Sequence, residues 1–265
     1  MNVAVQLYSL RDYIQTKETL EDTLQKLKSM GCEYVQLSGF GRLTDEKITW
    51  YKELFPKYSI QIIATHIDYN QLQEEFDYIV QFHHDMNIPY VGVGALPSKF
   101  ARDKVKDYQH FIFEMNILGT KLQKQGLQLT YHNHSFEFVQ LGPFIPFDIL
   151  YQNMDQRVVQ FLPDFYWLQA AGVNPLQFIQ KYHANFDIVH LKDMRVQLVN
   201  DWITKPVYCS IGDGNMDYKS IIETLYSKNT KYYIIEQDQF LTNNPFNEIK
   251  RSIDFTINTL QTCSD

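Results

Sequence analysis

Cysteine is scarce in this 265-residue chain: Cys32, Cys209 and Cys263 lie far apart, with no CxxC spacing. That argues against a disulfide framework and against a Cys-rich zinc site, and a reducing, cytoplasmic setting is expected. No apolar run approaches the ~20 residues needed to cross a bilayer. The N-terminus, MNVAVQLYSLRD, has no basic segment ahead of its first apolar stretch, so no signal peptide is expected either. Basic charge is short as well: 24 Lys and Arg stand against 31 Asp and Glu, a net charge of −7. That balance argues against nucleic acid as a partner. Linkers, low-complexity segments and solenoid-like repeats are missing. The first apparent strand lacks the GxGxxG turn of a nucleotide-binding doubly wound sheet.

What is present is apolar content for a large core, 45% of residues, which suits one barrel or two smaller domains. Aromatics are abundant (18 Tyr, 18 Phe, 3 Trp), but a carbohydrate cleft and a big core both use them, so they do not choose a function.

Periodicity resolves the architecture. Short apolar strands are expected at Asn2–Leu7, Tyr34–Leu37, Ser59–His66, Tyr90–Val93, Leu127–His132, Val158–Leu162, Asp187–Leu191 and Tyr232–Ile235. Helical spacing falls between them. Thr16–Met30 presents Leu20, Leu24 and Leu27 on one face and stops at Gly31; Thr44 caps a helix from Asp45 to Phe55. Further helices are expected over Tyr69–Met86, Asp103–Gln125, Pro146–Asn153, Pro175 to about His183, Asp217–Ser227 and Pro245–Leu260. A short extended piece, Val207–Ile211, precedes the turn Gly212-Asp213-Gly214. Eight strands alternating with helices over this length give an α/β fold, a single (β/α)8 TIM barrel spanning 1–265.

The stretch LQLTYHNHSFEF, Leu127 to Phe138, carries the first chemistry. It alternates as a strand and then delivers His132, Asn133, His134 and Glu137 within six residues. In such barrels the active site sits at the C-terminal strand ends. The ends of the next three strands supply Asp164, His190 and Glu236. Each alone has an ordinary structural reading, as a cap, a core histidine or an ion-pair partner. Four at consecutive strand ends indicate one divalent ion, bound by Glu137, Asp164, His190 and Glu236. Three carboxylates and one imidazole favour Mn²⁺ or Mg²⁺, with Co²⁺ or Zn²⁺ tolerated.

The segments QLYSLRD (6–12), YHNHSFEF (131–138), AAGVNPLQFIQKY (170–182), VHLKDMR (189–195), IGDGNMDY (211–218) and IIEQD (234–238) together resemble the sugar phosphate isomerase/epimerase family. These are xylose-isomerase-like barrels that include inosose dehydratases and keto-sugar epimerases. The resemblance implies one metal held by a Glu, an Asp, a His and a Glu from the last four strands. The last three carry over to Asp164, His190 and Glu236. The first is either Glu137, reaching back as in HNH-x-x-E relatives, or His132 at the strand end; Glu137 is favoured. Ketose-interconverting relatives place a histidine three residues after the strand-six aspartate, where this chain has Trp167. HLKDMR is closer to the inosose-dehydratase pattern.

The activity so implied is proton transfer beside the carbonyl of a small keto-sugar, sugar phosphate or cyclitol. Its products are those of isomerisation, epimerisation or dehydration. Glu236 is the expected base and Glu137 its partner on the opposite side. Lys192 is either a proton donor or a structural ion-pair partner. Tyr8, Gln36, His66, His132, His134, Trp167 and Arg195 are candidate substrate contacts, Arg195 for an anionic group. A homo-oligomer is compatible with the sequence. The competing readings are a multi-zinc barrel cutting abasic DNA, which the negative charge opposes, and a sugar-binding barrel without chemistry.

Overall fold

In the computed structural model, which describes residues 2–182 and 186–264, eight parallel strands curl into a barrel. They are β1 (Val3–Gln6), β2 (Tyr34–Leu37), β3 (Gln61–His66), β4 (Tyr90–Val93), β5 (Gln128–His132), β6 (Val159–Leu162), β7 (Ile188–Leu191) and β10 (Tyr232–Ile235). The remaining two, β8 (Asp193–Leu198) and β9 (Thr204–Cys209), pair antiparallel as a separate hairpin inserted after β7. Barrel strands are bonded in the order β6-β5-β4-β3-β2-β1-β10-β7. Closure between β6 and β7 happens just past the end of β6: Asp164 bridges His190, and the His190 N–H donates to the Pro163 carbonyl at 2.9 Å. The barrel is therefore stitched shut at two of the residues that the sequence marks for chemistry.

Strand alternation sorts the interior into two levels. A lower apolar plug is built from Ala4, Ile63, Ala64, Tyr90, Leu162, Ile188 and Ile234. Two residues further along the same strands, on the same face, stand Gln6, His66, Gly92, Asp164, His190 and Glu236. The period-2 pattern thus places an apolar floor beneath a polar layer at the C-terminal mouth. Outward-facing residues such as Val5, Val35, Val91 and Leu129 pack against the helices in the main core.

The helices begin where the sequence offers caps. Thr16 opens α1 (Lys17–Ser29) with a capping box to Thr19, and Thr44 caps α2 (Asp45–Lys57). The stretch expected as one helix over Tyr69–Met86 is two, Tyr69–Glu74 and Phe76–Asp85, broken at Glu75. There the backbone leaves the helical region (φ −122°, ψ 40°), while the Glu75 carboxylate is drawn to Arg42 and to the Gln71 amide. The extended piece expected at Val207–Ile211 is the return strand of the hairpin, Thr204–Cys209. The helix at Pro175 is described to Tyr182, and its expected end at His183 lies outside the described residues. Among the described residues, no helix is long and apolar enough to cross a membrane.

Candidate active site

At the barrel mouth, His132, Asp164, His190 and Glu236 bring one ligand-type atom each to within 4.8 Å of one another, all four side chains buried. His132 Nε2 lies 3.3 Å from Asp164 Oδ2, and His190 Nδ1 lies 2.8 Å from Glu236 Oε2. Both imidazoles are aimed by their second nitrogen. His132 Nδ1 sits 3.2 Å from the Gly94 carbonyl, and His190 Nε2 sits 2.6 Å from Gln36 Oε1. A carbonyl oxygen can only accept, so these nitrogens carry the protons. The ligand-facing nitrogens then present lone pairs, the tautomer that a metal requires. Gln36 is held in turn by the Gln6 amide at 2.9 Å.

Asp164 serves as a helix cap and still faces the cluster. Its Oδ1 caps the short helix Phe165–Ala170 by accepting the Trp167 N–H at 3.2 Å. That fixes the carboxylate so that Oδ2 faces the cluster.

Lys192, two residues beyond His190 on the same face, runs its buried ammonium into the group. Nζ lies 3.0 Å from Glu236 Oε2, 3.3 Å from Asp164 Oδ2 and 3.1 Å from Asp238 Oδ2. Burial opposes its charge, but Asp164, Glu236 and Asp238 outweigh burial and hold its pKa well above the ordinary lysine value. Burial likewise raises Glu236, yet the Lys192 ammonium overrides it and keeps that carboxylate well below its usual range. The resulting charge-assisted pair is an ionised base beside an ionised acid.

Above the cluster opens a cavity of about 540 Å³. Of the expected substrate contacts, Tyr8, His66, His132, His134 and Trp167 line it. His66 Nε2, His134 Nδ1 and Trp167 Nε1, on residues that line it, are buried without a hydrogen-bond partner. Buried polar atoms left unpaired cost free energy, so their concentration at one cavity marks a site built for a ligand.

Gln36 does not line the cavity, being bonded to His190, and two further expected site residues are elsewhere. Glu137 does not join the cluster: it is buried in the short 3-10 turn Ser135–Phe138, accepting the Tyr131 hydroxyl at 2.5 Å and the His134 amide at 2.8 Å. Those bonds turn its carboxyl toward Tyr131 on the outer face of β5, and His132 stands among the four in its place. The donor set is therefore two imidazoles and two carboxylates, softer than the oxygen-rich set expected. Arg195 is exposed on the hairpin. Met194 pairs with Tyr208, which lines the cavity, so the next residue, Arg195, points to the opposite face. Sequence reasoning gave no role to Arg11, Asp68, Tyr208 or Asp238, which also line the cavity. Arg11 and Asp238 lie inside the motif segments 6–12 and 234–238, and that position was the available signal.

With this geometry in place, likeness to known proteins becomes interpretable. A family model described as "Xylose isomerase-like TIM barrel" matches residues 24–259. An inosose dehydratase from Clostridium perfringens is 30% identical over 142 residues, covering 49% of this chain and 47% of the relative. The match thus spans about half the length of that curated relative. A sugar phosphate isomerase/epimerase from Parabacteroides distasonis superposes with a TM-score of 0.79 at 18% identity, over 97% of this chain and 98% of the other. A xylose isomerase-like TIM barrel protein from Mycobacterium smegmatis, solved in complex with magnesium, gives 0.75 at 12% identity over 99% and 97%. At those identities the two structures speak for the fold alone.

Proposed function

The chain belongs to the xylose isomerase-like TIM barrel family, and within it we propose a metal-dependent enzyme that moves a proton beside the carbonyl of a small polyhydroxy ketone, a keto-sugar or cyclitol. The observation that carries this reading is the four-residue cluster beneath a cavity with unpaired polar atoms. His132, Asp164, His190 and Glu236 would hold the ion, and their mixed nitrogen and oxygen donors suit Mn²⁺ best, with Co²⁺ or Zn²⁺ accommodated and Mg²⁺ less well matched. Bound there, a divalent ion supplies Lewis-acid polarisation of a carbonyl oxygen. Glu236, ionised and at the cavity wall, takes the proton from the neighbouring carbon. His66, His134 and Trp167 orient substrate hydroxyls with their unpaired ring nitrogens.

Among the outcomes open to the family, the arrangement favours elimination of a β-hydroxyl. Epimerisation needs a second base on the opposite face, and Glu137, the residue expected there, is bonded to Tyr131 instead. Lys192, 3.0 Å from Glu236, offers an acid beside the base, able to protonate a leaving hydroxyl. Isomerisation by Glu236 alone is the second reading, favoured by the single available base. The barrel of 1–265 acts as one unit because the ligands come from strands as distant as β5 and β10. Three unpaired cysteines suit a reducing cytoplasm.

The test is proton exchange. Mn²⁺-loaded protein incubated in D₂O with keto-sugars and a keto-cyclitol should place deuterium beside the carbonyl, read by NMR. Stripped protein should do so at a far lower rate. Lack of exchange with every ketone by loaded protein would overturn the reading.

A further inference from the structure

Resting on that reading of the site, we infer that its substrate is uncharged: a free keto-sugar or cyclitol, not a phosphate ester or a sugar acid. In a (β/α)8 barrel the usual phosphate cradle is made by backbone N–H groups of the loops after the seventh and eighth strands. Here several amides of both loops are spent on the chain's own carboxylates. After the seventh strand, the amides of Gly212 and Gly214 donate to Asp193 Oδ2 at 3.0 and 3.2 Å, and the Met194 amide donates to Oδ1 at 2.7 Å. Asp193 is fully buried. After the eighth strand, the amides of Leu241 and Thr242 donate to Glu248 at 3.3 and 2.8 Å, joined by the Thr242 hydroxyl and the Gln237 side chain. Glu248 is buried too. None of these amides is therefore left to receive an external anion.

The cations of the cavity are also engaged by the chain. Lys192 is shared among three carboxylates. Arg11 donates to the carbonyls of Tyr8 and Asp238, both at 3.1 Å, and lies over the Tyr8 ring. Among the described residues lining the cavity these are the only Lys or Arg side chains, and Asp68 and Asp238 add negative charge beside them. With a divalent ion bound, that ion and Lys192 balance Asp164, Glu236 and Asp238. A phosphate would therefore bring two uncompensated negative charges into a partly desolvated cleft. The unpaired nitrogens of His66, His134 and Trp167 are suited to hydroxyls, which need one directed bond and no counter-charge.

Calorimetric titration of the Mn²⁺-loaded full chain tests this with matched pairs: free ketohexoses against their 6-phosphates, and a keto-cyclitol against its phosphate. The expected result is that at least one neutral ketone binds, and that its ester binds weaker by about tenfold or more. An ester that binds as tightly as its neutral partner, or tighter, would overturn the inference while leaving the ketone site standing. If no ketone of either kind binds a chain that holds its ion, the ketone site itself fails, and the inference with it.

Discussion

His190 Nδ1 and Glu236 Oε2 face each other at 2.8 Å, both buried. The proton of His190 is on the other nitrogen, committed to Gln36. Two lone pairs this close repel unless a cation lies beside them; Lys192 stands 3.0 Å from Glu236 Oε2, and a divalent ion would meet both atoms. The relationship therefore ties the tautomer chosen by Gln36 to metal binding at Glu236. Replacing Gln36 with Met should free the ring, lowering metal affinity by about 10–100-fold, as measured by competition with a fluorescent chelator. An unchanged affinity would show that Gln36 does not set the ligand.

The same measurement decides the first ligand. His132→Ala and His190→Ala should each fail to retain Mn²⁺ through dialysis, whereas Glu137→Gln should keep one ion per chain. Loss of metal from Glu137→Gln with metal retained in His132→Ala would reverse the assignment.

Glu137 has its own pH signature. Burial, only partly offset by the bonds from Tyr131 and the His134 amide, pushes its carboxyl up to about 8 from an ordinary 4.5. The folded chain keeps that proton where the unfolded chain has released it. Its contribution to stability is thus complete below about pH 4.5 and is lost as pH rises toward 8. Glu137→Gln has no proton to lose, so its melting temperature relative to wild type should rise steadily between pH 5 and pH 8. A constant difference across that range would mean that Glu137 is ionised in the fold.

How much of this was legible follows from which residues obey local rules. Strand alternation and cap residues are local, so the barrel, the Thr44 cap and the strand-end positions of Asp164, His190 and Glu236 could be read directly. The choice between His132 and Glu137 was not local. It depends on the Tyr131 hydroxyl, which lies on the opposite face of β5 from His132 and captures the carboxylate. Arg195 failed for a similar reason: the β8–β9 pairing sets its face, and that hairpin was visible only as an extended piece. Asp193 and Glu248 gave no sequence sign of accepting loop amides: Asp193 meets Gly212 and Gly214 across the inserted hairpin, and Glu248 reaches Thr242 and Leu241, 6 and 7 residues back, from the last helix.

Gly92 tests the upper level of the barrel. It occupies the polar layer on β4, and a Cβ there would lie 2.4 Å from the Thr65 carbonyl and 2.7 Å from the His66 ring. The backbone oxygen cannot yield, so Gly92→Ala should cost about 1–3 kcal/mol, seen as a lowered midpoint in urea. It should also displace His66 from the cavity wall. A variant as stable as wild type would show that β3 and β4 separate more easily than their pairing indicates.

Lys192 separates the two halves of the proposed chemistry. Its buried ammonium neutralises Asp164, Glu236 and Asp238, so Lys192→Met leaves carboxylates facing one another without a cation. Removing one partner from a buried ionic group typically costs about 3–5 kcal/mol, and a divalent ion should restore part of that. Mn²⁺ is accordingly expected to raise the melting temperature of Lys192→Met by more than it raises that of wild type. The chemical consequence is distinct. Glu236 remains able to take the proton, so deuterium should still appear beside the carbonyl of recovered ketone. Loss of water should fall by about 10²–10⁴-fold, the usual cost of a missing general acid. Exchange without elimination, in a variant shown to hold its ion, is the signature of Lys192 as the acid. Exchange and elimination falling together would place Lys192 with the groups that position Glu236. Elimination at the wild-type rate would remove it from the reaction altogether.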